Sequence, residues 1–164
     1  MKTIVILLTT FMASIFNSSD NFDVYYQDCK AELSVYKNRN FKSADEDGAS
    51  FALTLKNTSS KAATYILSTT NLLEPCDNKG GRSTTGSNVN LKVSIINSDL
   101  RSTSGNEITL KGGQEYTFTV NVTVPEGTRY NSWSCIDVQA QSKGCDSSAL
   151  KTILSVFVPD PSEG

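Results

Sequence analysis

Gln114-Glu115-Tyr116-Thr117-Phe118-Thr119-Val120-Asn121-Val122-Thr123-Val124 is the stretch that decides the fold. Tyr116, Phe118, Val120, Val122 and Val124 take every second position, and Thr117, Thr119, Asn121 and Thr123 fill the gaps. Side chains alternate across a strand, so this segment is apolar on one face and polar on the other. An amphipathic helix would need a period of 3.6 residues instead. Gly112-Gly113 turns the chain into the segment, and Pro125-Glu126-Gly127 ends it. A strand that hides one face and wets the other belongs to a sheet packed on a second layer.

The same rhythm recurs on both sides. Leu33 and Val35 mark a strand over Ala31 to Lys37. Phe51, Leu53 and Leu55 alternate with Ala52, Thr54 and Lys56, and Asn57-Thr58-Ser59-Ser60 is a turn cluster. Tyr65 and Leu67 mark a strand from Ala63 to Thr69. Val89, Leu91, Val93 and Ile95 alternate cleanly, and Ile108 and Leu110 lead into the Gly-Gly turn. Ile136, Val138 and Ala140 alternate within Trp133 to Gln141, and Leu150 to Val158 runs up to Pro159 and Pro161. Phe22, Val24 and Tyr26 hint at a short first strand or an ordered leader, whereas Asn38 to Gly48 reads as polar turn. The expectation is an all-β, two-sheet sandwich of seven or eight antiparallel strands.

The chain has 164 residues, enough for one domain with a real core. Its formal charge of −2 gives no field that would gather nucleic acid or an anionic membrane. Lys2 followed by the apolar run Ile4 to Phe16 and then Asn17-Ser18-Ser19-Asp20 suits a signal peptide; a buried N-terminal strand is the alternative. The division is then 1–18 signal peptide, 19–29 leader or short first strand, 30–158 sandwich and 159–164 tail. The mature chain shows no second membrane span, and the expected location is secreted, periplasmic or cell-surface.

Four cysteines, Cys29, Cys76, Cys135 and Cys145, agree with an oxidising compartment and allow two disulfides in three connectivities. Zinc is the rival reading. Zinc sites favour close cysteine pairs and often histidine, but the nearest pair here is Cys135 and Cys145 and the chain has no His.

Three motifs carry a family resemblance. Phe51-Ala52-Leu53-Thr54-Leu55-Lys56-Asn57-Thr58 resembles the strand and Asn-Thr turn of bacterial immunoglobulin-like modules. Ile108-Thr109-Leu110-Lys111-Gly112-Gly113-Gln114-Glu115 resembles their L-x-x-G turn, and Val120-Asn121-Val122-Thr123-Val124-Pro125 resembles their strand ending. The pattern is similar to CARDB-like and related secreted accessory domains over roughly residues 30–158. The resemblance implies an immunoglobulin-like sandwich serving as an adhesive, spacer or accessory unit without a shared active site. This chain differs in carrying four cysteines and in standing alone. In an immunoglobulin-like topology the third and sixth strands are neighbours. Counting strands from Leu33, that topology implies Cys76–Cys135 and Cys29–Cys145.

Catalytic equipment is sparse in this sequence. Without His there is no Ser-His-Asp or Cys-His arrangement, and there is no phosphate loop or dinucleotide fingerprint. A small secreted hydrolase would need paired carboxylates, for which Glu115, Glu126 and Asp137 are the candidates. Asp45-Glu46-Asp47 could contribute to Ca²⁺ binding through Asp45 and Asp47, but the spacing is not that of an EF-hand and a solvated acidic turn is the better reading. No metal and no cofactor is expected. The candidate binding surface is aromatic: Tyr130, Asn131 and Trp133 before the sixth strand, and the pair Tyr25 and Tyr26. Trp133 is equally readable as the core tryptophan of the sandwich. Asn57-Thr58-Ser59 and Asn121-Val122-Thr123 match the glycosylation pattern and, where used, would put both asparagines on the surface.

The function expected is a secreted, non-catalytic binding or adhesion module recognising a protein or glycan through loops or a sheet edge. The alternatives are a structural subunit that oligomerises by β-strand addition at that edge, and the hydrolase.

Overall fold

The structure, a computed structural model, describes residues 30–76, 88–97, 106–145 and 149–163. Nine strands lie among them: β1 (Ala31–Val35), β2 (Phe41–Ser43), β3 (Ala49–Asn57), β4 (Ala63–Leu72), β5 (Lys92–Asn97), β6 (Glu107–Leu110), β7 (Glu115–Thr123), β8 (Ser132–Ser142) and β9 (Leu150–Val158). They form a four-stranded sheet in the order β1-β3-β7-β5 and a five-stranded sheet in the order β2-β9-β8-β4-β6. The expected signal peptide and leader, Tyr25 and Tyr26 among their residues, lie outside the described residues.

β3 and β7 form the middle of the four-stranded sheet. Their register sets Phe51 opposite Val120, Leu53 opposite Phe118 and Leu55 opposite Tyr116, so the two apolar stripes coincide. From the other sheet β8 offers Ile136, Val138 and Ala140, β9 offers Leu154, Val156 and Val158, and β4 offers Tyr65 and Leu67, all buried. Two sheets packed in this way share one dry layer. The alternation in the sequence is the alternation of burial.

The all-β, two-sheet sandwich is the expected one, with one strand more than the seven or eight read from the sequence. The strand count is nine, because Phe41-Lys42-Ser43 forms a strand inside the segment read as polar turn. That strand pairs parallel with β9, setting Phe41 beside Ser155 and Ser43 beside Phe157. Carbonyl oxygens fix its ends: Ser155 N–H donates to Asn40 O at 2.8 Å, and Ala44 N–H donates to Phe157 O at 2.8 Å. Trp133, read from the sequence either as a surface aromatic or as the core tryptophan, is decided by the structure. It stands on the outer face of the five-stranded sheet, half-buried between Phe41 (5.4 Å between ring centroids) and Phe157 (5.1 Å). It is therefore not the core tryptophan.

Glycine is required at two turns. A side chain at Gly48, whose φ is +77°, would place Cβ 2.2 Å from Val122 O, and one at Gly112 would come within 2.5 Å of Ser60 O.

Asn57 is the hinge of the β3–β4 connection, and it is fully buried. Its Nδ2 donates to Lys61 O at 2.8 Å and Leu110 O at 3.0 Å. Its Oδ1 accepts from Ser59 N–H at 3.0 Å and Ser59 Oγ at 2.7 Å. A glycan on this nitrogen would break those bonds, so the surface position expected for Asn57 is corrected to the interior. Asn121 sits half-buried on the outer face of β7, where its Oδ1 accepts from Ser50 Oγ at 2.7 Å. Asn57→Ala should cost about 3 kcal/mol in denaturant unfolding, because it orphans buried polar groups. Intact mass of the folded protein from a glycosylating host should show Asn57 unmodified.

The Tyr65 hydroxyl is buried with no hydrogen-bond partner, and burial pushes its phenol above the usual value. The native state therefore holds this proton more tightly than the unfolded chain does. Stability should be intact below about pH 10 and fall as pH rises above it. Tyr65→Phe should leave neutral-pH stability unchanged or raise it by up to about 1 kcal/mol, and should flatten the alkaline loss seen in thermal melts.

Candidate functional site

At the end of the sandwich where β7 stops, three segments distant in sequence enclose a cleft of about 290 Å³. Ala44, Asp45 and Glu46 come from the β2–β3 connection. Val124 to Thr128 and Tyr130 come from the β7–β8 loop, and Val158, Pro159 and Pro161 from the end of β9 and the tail. Ala44 and Val158 are buried and make an apolar floor. The exposed acidic residues Asp45, Glu46 and Glu126 and the half-exposed Tyr130 also line it.

Local hydrogen bonds hold each wall. Gly48 N–H donates to Asp45 O at 3.0 Å and closes the acidic turn. Thr128 N–H and Oγ1 donate to Pro125 O at 3.1 and 2.6 Å, with Gly127 at φ +78° completing that turn. Asn131 takes φ +52°, and Arg129 Nε donates to Ser132 Oγ at 2.8 Å, which fixes the chain on both sides of Tyr130. In the tail, Asp160 accepts from Ser162 Oγ at 2.7 Å and Ser162 N–H at 2.9 Å, and these bonds hold its carboxyl below the usual range.

The expected site residues separate. Tyr130 lines the cleft and Asn131 is exposed beside it, whereas Trp133 belongs to the outer face of the five-stranded sheet. Asp45 lines the cleft, Asp47 is exposed at the turn, and among the described residues no three His, Cys, Asp or Glu groups converge as a metal site. The carboxylates proposed for hydrolysis do not meet. Glu115 pairs with Lys56 at 3.0 Å at the opposite end of β7, Glu126 lines the cleft, and Asp137 lies on the outer face of β8. Glu46 is the cleft residue that the sequence did not single out. Asn71 and Asn88 were also missed as clamps. Asn71 exchanges two bonds with the Leu91 backbone at 2.9 and 3.2 Å, and Asn88 Nδ2 donates to Leu72 O at 2.7 Å.

Cys76 and Cys135 are joined by a disulfide with Cα atoms 6.2 Å apart. Antiparallel pairing of β4 with β8 places Leu72 opposite Cys135, so the chain leaving β4 reaches that sulfur directly. Cys145 is also disulfide-bonded, and Cys29 lies outside the described residues.

This architecture has relatives. A model of the Fn3-like domain matches residues 39–142. The chain belongs to the Fn3-like domain family. The match names that family and not the CARDB-like modules; what the two readings share is an immunoglobulin-like sandwich. No curated protein matches the chain in sequence. Among solved structures, the fold is similar to part of a family 123 glycoside hydrolase from Clostridium perfringens, at 11% identity and a TM-score of 0.52 over 80% of this chain. The chain spans only 28% of that enzyme's length, so the likeness is to the fold. The E. coli chaperone DraB matches at 11% identity and a TM-score of 0.42, over 81% of this chain and 56% of its own. A FixG-related protein from Vibrio parahaemolyticus matches at 12% identity and a TM-score of 0.44, over 80% of this chain and 95% of its own.

The Cys76–Cys135 bridge closes a loop with a sequence separation of 59. The chain-entropy model values such a closure at about 4 kcal/mol, so Cys76→Ser with Cys135→Ser should lower unfolding free energy by an amount of that order. Urea titration of the double variant against the parent protein measures it.

Proposed function

We propose that this chain is a secreted or periplasmic, non-catalytic binding module that engages a protein partner along the open edge of β5. The observation that carries the reading is the state of that edge. β5 closes the four-stranded sheet and, among the described residues, pairs with β7 alone. An unpaired strand edge is a template for another extended chain, and natural proteins usually blunt such edges by shortness, charge or proline. The other edges, β1, β2 and β6, have 5, 3 and 4 residues. β5 has 6, no proline, a single charge at Lys92, and Ile96 48% exposed on its outward face. Strand addition there would supply main-chain hydrogen bonds, with side-chain specificity read at Ile96 and Ser94.

The compartment follows from the same chain. The Cys76–Cys135 bridge and the bonded Cys145, which we pair with Cys29, suit an oxidising environment. The apolar run Ile4 to Phe16 is read as the export signal that delivers the chain there. Among the described residues no helix is long and apolar enough to cross a membrane.

Peptides selected from a random displayed library, followed by hydrogen exchange on the complex, test the reading. Protection should concentrate at Lys92–Asn97, and Ile96→Lys should weaken binding about tenfold with an unchanged melting temperature. Protection confined to the loops would overturn the edge assignment. A concentration-dependent dimer abolished by Ile96→Lys would replace it with self-assembly.

A further inference from the structure

We infer that the cleft beyond β7 is a second binding site, and that it takes the cationic side chain of a lysine or arginine from a protein partner. The site lies on the loops and not on β5, so its failure leaves the edge reading standing.

Charge comes first. Among the described residues, Asp45, Glu46 and Glu126 line the cleft, and neither Lys nor Arg does. The basic groups nearest in sequence are committed elsewhere. Arg129 Nε donates to Ser132 Oγ, and Lys42 Nζ donates to Ser50 O with the Phe51 ring beneath it. The tail that supplies Pro159 and Pro161 also carries Asp160, whose bonds from Ser162 favour its charged form. Among the described residues, every charged residue that lines this space is acidic, so a cation entering it is attracted.

Shape comes second. The floor of Ala44 and Val158 and the rings of Pro125, Pro159 and Pro161 are apolar. Tyr130, 50% exposed, lines the same cleft as the acidic residues. A lysine or arginine side chain has the matching division: an apolar stem for the floor and a charged head for the acidic residues. A cation over the face of Tyr is attracted by the ring quadrupole. The volume of about 290 Å³ fits one side chain and falls at the small end for a whole ligand, which disfavours an oligosaccharide.

Rigidity comes third. Gly48 presses the acidic turn against β7, since a Cβ there would meet Val122 O at 2.2 Å. Thr128 holds the Glu126 turn through Pro125 O. The cleft is set before any ligand arrives, so little ordering cost falls on binding.

The test is a titration of the purified protein followed by NMR of the Gly127 amide and the Tyr130 ring. The probes are a short capped peptide with one arginine among glycines, its lysine version, its citrulline version as neutral isostere, chitotriose and calcium chloride. The arginine and lysine peptides should shift both signals saturably, and citrulline should not. Tyr130→Ala and Glu126→Gln should each weaken binding about threefold to tenfold, with melting temperature confirming an intact fold. Raising salt from about 0.05 M to about 0.5 M should weaken it further. Equal binding of the citrulline peptide, saturation by chitotriose or Ca²⁺ in place of the basic peptides, or no saturable shift would overturn the inference.

Discussion

The contact between the inner faces of the two sheets is what every other feature of this molecule relies on. Phe51, Leu53, Leu55, Phe118 and Val120 from one side meet Ile136, Val138, Leu154 and Val156 from the other, and all are removed from water. Burial of apolar surface is the dominant favourable term in folding. It also dictates register, since a slip by one residue would turn the threonines of β7 inward and its valines outward. Pairing β3 with β7 and β8 with β9 is thus forced by the same alternation. The turns then have to satisfy what the core demands, as Asn57 does by filling the β3–β4 corner with its own amide.

Much of this was legible in the residues because a half-buried strand writes its environment at every second position. β3, β4, β5, β7, β8 and β9 all have enough length to show the pattern. β2 does not, since three residues are too few to display a period of two. Its position is decided by β9, a strand more than a hundred residues later. Trp133 is a different case. Its parity matches Cys135 and Asp137, not Ile136 and Val138, so alternation alone would have placed it outside.

The cleft was legible only in fragments. Tyr130, Asp45 and Glu126 each attracted notice for unrelated reasons, one as an aromatic contact, one as a cation ligand and one as a catalytic acid. Tertiary structure brings them to one cleft, because β2 leads into the acidic turn at the same end where β7 and β9 stop. No local pattern encodes such convergence. The asparagine clamps are equally silent, since no local pattern shows which distant carbonyls Asn57, Asn71 and Asn88 will meet. Membership of the Fn3-like family fixes the scaffold and leaves the work to surfaces grafted on it.

The parallel ladder between β2 and β9 has a consequence for how the chain comes to be folded. Asn40, just before β2, donates its side-chain amide to Ile153 O, a contact across 113 residues. The early segment must wait for β9, more than a hundred residues later, before it finds its ladder partner. Closing so long a loop is slow relative to local hairpin formation. During synthesis the nascent polypeptide therefore stays open at this seam until β9 emerges. The parallel seam is thus the part of the sandwich that closes late, after the shorter-range ladders are in place.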